Sequence, residues 1–511
     1  MIVSIIFGVS AILGFAREIV LAAYFGASAQ MDALLVAMII PMFFLNMLGE
    51  ASMGAAVVPV FITYVAPQAS TDQKRIIGSA FALLSLVLTA IAALGVVFAP
   101  AIAHVFAPGF DPTKLALTAS LMRVMIPSVL FLGIANFVTG LLHSFKRFSA
   151  AAMTGVVFNL AVVVATIPLA QRWGIFAPAI GVLIGCALQL VIMLPSLIAT
   201  GLFPAAGVSF RDPALVRMWR LFWPMLVGSL AVTALKTADK IIGSFLPSGS
   251  ISALNYADKI AGGPSRIFTM SIAVVLFPAL VKKVAEKAGD SGDTIIRGLN
   301  MAAFLTLPWA AIFIALRAPI VGVLLHRGAF GARDVALVAL PLAIYSLGEF
   351  ADGISTMVNN AFYSHHDSRI PTYVFVGTNV LRIAAILALV PALGYLAIAV
   401  GNVLAVNVAL VILLVALRRH IPDLNLRALS LGFAKIVAAS VVAGLVGWGA
   451  YELLFLLVAK TQLGTAIALL GSLVPSLAAY VLAARIMRCD EAIELMSRAG
   501  SLLRHAGRTE V

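Results

Sequence analysis

The chain has 511 residues, of which 62% are hydrophobic and 11% charged, and its mean hydropathy is +1.10. Soluble domains carry about 25% charged residues. This composition therefore excludes a soluble enzyme, a disordered chain and a nucleic-acid-binding domain, despite the net charge of +13. A spanning helix needs about 20 apolar residues, so we predict an all-α polytopic membrane protein with about 14 transmembrane helices.

Turn residues and charge clusters divide the chain into apolar segments that are long enough to cross a membrane. Backbone amides in lipid are satisfied only within a helix or a closed barrel, and the segments lack the alternation of a barrel. Each segment is therefore predicted to be helical. In chain order the segments cover approximately residues 2–24, 32–65, 76–106, 115–143, 149–171, 174–202, 214–246, 250–281, 294–325, 334–363, 370–392, 394–417, 431–459 and 461–486.

Lysine and arginine are unevenly distributed over the loops between these segments. If the N-terminus is cytoplasmic, loops such as those with Lys282 and Arg418 lie on the cytoplasmic side, and few cations, Lys114 among them, lie on the other. Cytoplasmic loops carry the excess of Lys and Arg, so both termini are predicted to be cytoplasmic. Residues 489–511 are predicted to form an amphipathic tail on the cytoplasmic surface.

An internal repeat without gaps relates residues that lie 220 positions apart. Six helices followed by six more in the same orientation predict two lobes with a substrate path at their interface. The pairs that carry the repeat include Asn159/Asn379, Gly174/Gly394 and Gly181/Gly401. The predicted divisions are an N-terminal lobe (1–202), a C-terminal lobe (203–427), two further helices (428–488) and the tail (489–511).

Charged residues inside the apolar segments are the main functional signal, because a charge in the membrane is costly unless it faces a cavity or a partner. They gather mainly in the first two helices of each lobe. Two facing sets of charged helices predict a polar cavity, positive on balance, that suits a phosphate or diphosphate. The predicted substrate-binding residues are Arg17, Glu18, Asp32, Glu50, Lys236, Asp239, Lys240, Asp258, Lys259 and Arg266.

The same charges have a structural alternative, in which internal ion pairs only fix the packing of helices. Asp239 with Lys236 or Lys240, and Asp258 with Lys259, are the candidate pairs. Neighbours on a helix point about 100° apart and are expected to be poor partners, whereas residues four apart share a face.

No catalytic or cofactor motif is present in the sequence, which lacks GxxxxGK[ST] and HExxH. Cys186 and Cys489 lie far apart and support neither a disulfide framework nor a thiolate metal site. We therefore predict that the protein is not an enzyme and uses no cofactor or metal. Arg382 is interpreted as a cation that snorkels from a segment end to the membrane surface.

Several blocks of sequence, in order along essentially the whole chain, carry a family resemblance. They include Gly14-Phe15-Ala16-Arg17-Glu18, Leu48-Gly49-Glu50, Ser144-Phe145-Lys146-Arg147-Phe148, residues 249–259 and Arg327-Gly328-Ala329-Phe330. With these blocks the chain resembles the MurJ (MviN) lipid II flippases of the multidrug/oligosaccharidyl-lipid/polysaccharide exporter superfamily.

This resemblance implies a fold, a transport activity and a place in the cell. The fold would have fourteen helices in two lobes, the last two helices forming a lipid-binding groove. The protein would flip lipid II, the undecaprenyl-diphosphate-linked peptidoglycan precursor, across the bacterial inner membrane by alternating access, driven by the membrane potential or an ion gradient. Arg17 and Lys259 would line the cationic cavity, with Glu18 at the acidic position. The implied partners are lipid II, membrane lipid and the wall-synthesis machinery, without nucleic acid, and the protein would be a monomer.

The sequence departs from the family pattern at positions where the family has arginine. Ala11 and Leu45 replace two of these arginines, and Lys259 replaces a third. Lysine offers a point charge rather than a bidentate fork, and our hypothesis is that Lys236 and Lys240 compensate. The alternative functions are a flippase for another polyprenyl-diphosphate-linked glycan, a cation-coupled drug antiporter and a scaffold that does not transport.

Overall fold

The computed structural model is helical throughout its described ranges apart from short turns, and it contains no strand there. The predicted all-α polytopic class is therefore confirmed. The described ranges are residues 2–47, 71–145, 147–200, 213–263, 291–364, 367–422, 424–459 and 461–493.

The helices are numbered here in chain order. They are α1 Ile2–Phe25, α2 Ala29–Ala37, α3 Ile39–Met47, α4 Thr71–Val97, α5 Ala99–Phe106, α6 Pro112–Met125, α7 Ser128–Ser144, α8 Ser149–Ala152, α9 Thr154–Trp173, α10 Phe176–Ile198, α11 Pro213–Gly243, α12 over 250–263, α13 Ser291–Ala315, α14 Arg317–Leu325, α15 Ala332–Ser364, α16 Arg369–Leu393, α17 Leu396–Leu417, α18 Leu426–Leu457 and α19 Gln462–Ile486.

Ten helical stretches of the described chain are long and apolar enough to cross a membrane. Helices α6 and α7 make an eleventh if they form one span, and they meet at 42° beside Pro127, which lacks the N–H needed to continue a helix. The count of fourteen stays a prediction, because segments 32–65 and 250–281 extend beyond the described residues. The tail is described only over 489–493, and residues 490–493 of it are helical.

The chain forms two compact units. The first comprises Met1–Ser252 with Arg327–Phe330, and the second comprises Ala253–His326 with Gly331–Val511. Helix α11, which the repeat assigns to the C-terminal lobe, belongs by its contacts to the first unit. The lobe divisions at 202 and 427 therefore remain predictions from the repeat.

Two helical hairpins, one in each unit, show the repeat in the backbone. The first hairpin is α9–α10 and the second hairpin is α16–α17. Gly174 and Gly394 end the first helix of each, with φ angles of 52° and 54° that glycine adopts without steric penalty. Their amides donate to Ala170 and Val390, both at 2.9 Å. The two turns are thus the same local structure.

A second pair of glycines brings the two helices of each hairpin together. A Cβ added at Gly181 would lie 2.8 Å from Val162 Cα, and one added at Gly401 would overlap Ile386 Cγ1. Only a residue without a side chain permits this approach. The glycines of the repeat therefore define the geometry of both hairpins.

Arg382 is buried inside the second hairpin, with 6% of the residue exposed. It lies near the middle of α16, and its Nη1 donates 3.1 Å to Asn402 Oδ1 of α17. The interpretation of Arg382 as a snorkelling cation is wrong. The guanidinium turns towards a polar partner within the hairpin instead of reaching the membrane surface.

Each unit also has its own apolar core. The core of the first unit joins α4, α7 and α10, with Phe137 and Met193 near its centre. The core of the second unit joins α13, α15, α17, α18 and α19 around Phe304 and Phe362. The Tyr480 hydroxyl donates 2.7 Å to the Phe304 carbonyl, which fixes α19 to α13.

Candidate functional site

Arg17 lies on α1 in the first unit, with 14% of its side chain exposed. Its Nη1 donates 3.0 Å to Asn159 Oδ1, and its Nη2 lies 2.6 Å from Glu18 Oε1. The guanidinium carbon is 5.6 Å from the centroid of the Phe158 ring, a favourable cation–π distance. Arg17 Nε is buried without a hydrogen-bond partner among the described residues. The described residues thus leave one N–H donor of the site unused.

Asn159 holds the Arg17 guanidinium because α9 packs against α1. The Nδ2 atom of Asn159 donates 3.2 Å to the Ser10 carbonyl, which leaves Oδ1 directed at Arg17. The repeat drew attention to Asn159 and Asn379 in the sequence. No local pattern, however, indicated that Asn159 would contact a residue so distant along the chain.

Two pairs of sequence neighbours form ion pairs, and the expectation that neighbours are poor partners is wrong for them. Arg17 and Glu18 approach to 2.6 Å, and Lys259 Nζ lies 3.7 Å from Asp258 Oδ2. The expectation considered only the directions of the Cβ atoms. Long arginine and lysine side chains curl along the helix and overcome that angular separation. The Asp258–Lys259 pair is half-exposed and lies in the second unit.

Asp32 is enclosed by protein, with 1% of its side chain exposed. Its Oδ2 lies 2.9 Å from Lys114 Nζ and accepts a hydrogen bond from the Gly249 amide at 2.7 Å. Its Oδ1 accepts from the Ser252 amide at 2.8 Å. The carboxylate satisfies amides at the start of α12 as a helix cap does. A substrate-binding role for Asp32 stays a prediction.

Lys114 is the member of this cluster that sequence reasoning missed, because it was counted among the loop cations. The structure buries it beside Asp32, with Nζ 3.9 Å from the centroid of the Phe110 ring. Asp111 begins α6 by accepting a hydrogen bond from the Lys114 amide. An aspartate followed by proline does indicate a helix start. Nothing local in the sequence pairs Lys114 with Asp32.

The predicted residues of α11 lie in the first unit and differ in burial. Lys236 is exposed, whereas Asp239 and Lys240 are half-buried. Lys240 Nζ donates 2.8 Å to the Leu35 carbonyl of α2. Lys240 therefore serves the backbone of α2 in this structure, and compensation for the missing family arginines remains a hypothesis.

The structure brings together part of the predicted set. It joins Arg17 with Glu18, and Asp258 with Lys259, while Asp32 is held by other residues. Glu50 and Arg266, and the loop residues His365 and His366, lie outside the described ranges. Within those ranges no group of three or more His, Cys, Asp or Glu side chains is placed to hold a metal ion.

Comparison with known proteins decides the family. A family model described as the lipid II flippase MurJ matches residues 21–465. The chain belongs to this family. The resemblance noted in the sequence is confirmed, and the family consists of transporters that flip a lipid. With its apolar helices, membership also identifies a multi-pass protein of the inner membrane.

Two relatives and one solved structure illustrate the similarity. The probable lipid II flippase MurJ of Treponema pallidum is 30% identical over 476 residues, covering 88% of this chain and 87% of that protein. The lipid II flippase MurJ of Burkholderia cenocepacia is 25% identical over 450 residues, covering 86% and 87%. A structure of lipid II flippase MurJ in an inward closed conformation has a TM-score of 0.80 at 22% identity, covering 95% of this chain and 99% of that one. That likeness shows a shared fold.

Proposed function

We propose that this chain translocates lipid II from the cytoplasmic to the outer leaflet by alternating access, as a monomeric transporter with both termini in the cytoplasm. Family membership supports the substrate class. The observation that carries the proposal is Arg17, a largely buried guanidinium on a membrane span. Asn159 holds this guanidinium, and Arg17 Nε has no hydrogen-bond partner among the described residues. An arginine fork binds phosphate oxygens with matching geometry, and lipid II presents a diphosphate.

Glu18 supplies Arg17 with an exchangeable partner in this proposal. In the substrate-free state the Glu18 carboxylate neutralises the guanidinium across 2.6 Å. A diphosphate oxygen then replaces the carboxylate at Nη2 and also takes Nε, while Asn159 keeps Nη1. Because a buried charge without a partner is strongly unfavourable, this exchange keeps Arg17 paired during both loading and release. The family resemblance implies Lys259 as the other cation for the diphosphate.

We propose that alternating access breaks a contact that Asp32 makes. Its carboxylate joins α2 and α6 to the start of α12, through Lys114, Gly249 and Ser252. The predicted topology puts this end of the helices on the outer side. We propose that outward opening releases the two backbone amides, while Lys114 stays with Asp32 and keeps the carboxylate paired.

The membrane potential is the proposed driving force. Moving one charge across the membrane is worth about 2.3 kcal/mol per 100 mV. A diphosphate with about two negative charges therefore gains about 4–5 kcal/mol per 100 mV on leaving a negative interior. This gain favours outward translocation without a cofactor.

The test replaces Arg17 by glutamine in cells depleted of their native flippase. Charge-assisted hydrogen bonds are worth about 1.5–3 kcal/mol, so lipid II reaching the outer leaflet should fall about tenfold or more. The amount is measured with a membrane-impermeant enzyme that cleaves exposed lipid II. Arg17→Lys should retain part of the activity, since lysine keeps the charge without the fork.

The matched control is Arg123→Gln, which removes an exposed arginine of α6. It should translocate lipid II at the rate of the unmodified chain. Protein abundance and thermal stability are measured for each variant, so that misfolding is separated from loss of transport. Normal translocation by a folded Arg17→Gln protein would overturn the assigned role of Arg17.

A further inference from the structure

A polar crevice of about 430 Å³ lies in the second unit, distant in sequence from Arg17. It is formed by the start of α13, the first turns of α18 and the residues that follow α19. Its volume is within the range of small-ligand sites, about 300–1,000 Å³. Its charged lining consists of Asp293, Arg297, Lys435, Arg488, Asp490 and Glu491.

Asn300 lines this crevice and is 7% exposed. Its Oδ1 atom has no hydrogen-bond partner among the described residues. Gly432 faces the amide closely, since an added Cβ there would lie 2.5 Å from Asn300 Nδ2. A buried acceptor without a partner is unfavourable by about 1–3 kcal/mol. A ligand that donates an N–H would remove that penalty.

Glu491 is a second buried acceptor in the crevice, with 8% of the residue exposed. Burial raises the pKa of its carboxyl above the ordinary value, and the charge of Asp490 adds to the rise. A backbone hydrogen bond, a hydrogen bond from the Asn300 side chain to the Glu491 carboxyl and the charge of Lys435 lower this pKa in part. A cationic ligand group beside Glu491 would stabilise the ionised carboxylate against the effect of burial.

Charges of both signs therefore line one cavity. Arg297, Lys435 and Arg488 offer N–H donors to an anion, and Lys435 Nζ already contacts the Arg488 carbonyl at 3.3 Å. Asp293, Asp490 and Glu491 offer acceptors to a cation. The formal charges of these six side chains cancel. The lining thus favours a ligand that carries one anionic and one cationic group a short distance apart.

The position of the crevice indicates where such a ligand comes from. Asp293 and Arg488 flank the ends of the candidate membrane spans Ile295–Ala315 and Gln462–Ile486. Leu431 lines the crevice and is 57% exposed on the apolar span of α18. If these spans cross the membrane, the charged side chains at their ends are expected at the level of lipid headgroups, beside an apolar surface available to an acyl chain.

We infer that the crevice binds a phospholipid whose headgroup joins a phosphate to a primary ammonium, as in phosphatidylethanolamine. Arg297 and Arg488 bind the phosphate, while Asn300 Oδ1 and Glu491 accept hydrogen bonds from the ammonium. Phosphatidylcholine offers the same charges but no ammonium N–H. Phosphatidylglycerol offers the phosphate without the cation that the acidic side chains require. The site is independent of the proposed lipid II site.

The test compares these three lipids on the purified full-length chain by native mass spectrometry, with each lipid added in equal amount to delipidated protein. The amine and phosphate contacts together should give phosphatidylethanolamine an affinity about tenfold above phosphatidylcholine and phosphatidylglycerol. Asn300→Leu should abolish the preference over phosphatidylcholine. Arg297→Gln should weaken phosphatidylethanolamine about tenfold. The matched control Arg485→Gln removes an exposed arginine near the same helix ends and should change nothing.

Equal binding of the three lipids, or unchanged binding by a folded Arg297→Gln protein, would overturn the inference. In a competition experiment, soluble glycerophosphoethanolamine is added to the protein together with phosphatidylethanolamine. Competition only at a large excess supports a membrane lipid, whereas competition at equal concentration would show that a soluble ligand occupies the crevice and would overturn the lipid assignment. Because the readout is lipid binding, its outcome is distinguishable from any loss of lipid II translocation in Arg17 variants.

Discussion

The first and second hairpins have the same scaffold but different polar interiors. Both turn at a glycine with a φ angle near 50°, and both bring their helices together at a second glycine. The first hairpin, however, has buried Val162 and Val182 where the second has Arg382 and Asn402, which hydrogen-bond to each other. The repeat therefore preserves the backbone and leaves its interior free to change in polarity.

The asparagines at equivalent positions differ in the same way. Asn159 reaches out of the first hairpin to hold Arg17 of α1. Asn379 instead donates 2.8 Å to the Phe375 carbonyl of its own helix. A position shared by two repeats thus holds an arginine of another helix in one unit and serves local helix bonding in the other. Equivalence in sequence indicates equivalent backbone, and the chemistry depends on what packs against it.

The largest effect should come from filling the close approach in each hairpin. Gly181→Val should lower the free energy of unfolding by about 3 kcal/mol, since overpacking forces helices apart. Gly401→Val should be less damaging, because its obstacle is the Ile386 side chain rather than the Val162 backbone. Unfolding by SDS titration measures both. Gly377 lies on the same helix as Ile386, and an added Cβ there would meet nothing within 4 Å, so Gly377→Val is the control. If Gly181→Val and Gly401→Val lower the free energy of unfolding no more than Gly377→Val does, the two hairpins are not packed closely at these glycines.

An intermediate effect should follow from removing half of the polar pair in the second hairpin. Asn402→Val takes an acceptor from a buried guanidinium and should lower the free energy of unfolding by about 2 kcal/mol. The double variant Arg382→Val/Asn402→Val recreates the interior of the first hairpin. It should recover most of that loss, because replacing a whole buried polar pair by apolar side chains is often neutral. Additive losses in the double-mutant cycle would show that the two side chains are not coupled.

The smallest effect should come from the turns, and it should be equal in the two hairpins. Gly174→Ala and Gly394→Ala place a side chain at positive φ, which should lower the free energy of unfolding by about 1 kcal/mol in each case. A Cβ would meet nothing within 4 Å at either position, so backbone strain is the only cost. Melting temperatures of the two variants provide the measurement. Clearly different melting temperatures of the two variants would show that the turns are not equivalent.

Much of the fold follows from the sequence alone. Composition determines the class, because a chain with 11% charged residues has too few polar side chains to cover itself in water. Apolar segments bounded by glycine, proline and charge indicate the helices, since backbone amides in lipid must be bonded within the segment. The pairing of Gly174 with Gly394 likewise predicts a common turn, because the need for positive φ is a local property of the backbone.

Only the tertiary structure decided which side chains act together. The place of Arg17 in an apolar segment predicted that it lies within the membrane. The sequence did not predict its hydrogen bond to Asn159. Lys114 read as a loop cation and is in fact the ion-pair partner of Asp32. Nothing in the sequence singled out Asn300, which leaves an acceptor without a partner among the described residues in a charged crevice. Hydropathy and turn propensity are properties of neighbours in the chain. A charge pair between helices needs two side-chain atoms about 3 Å apart, and the local sequence does not encode that distance.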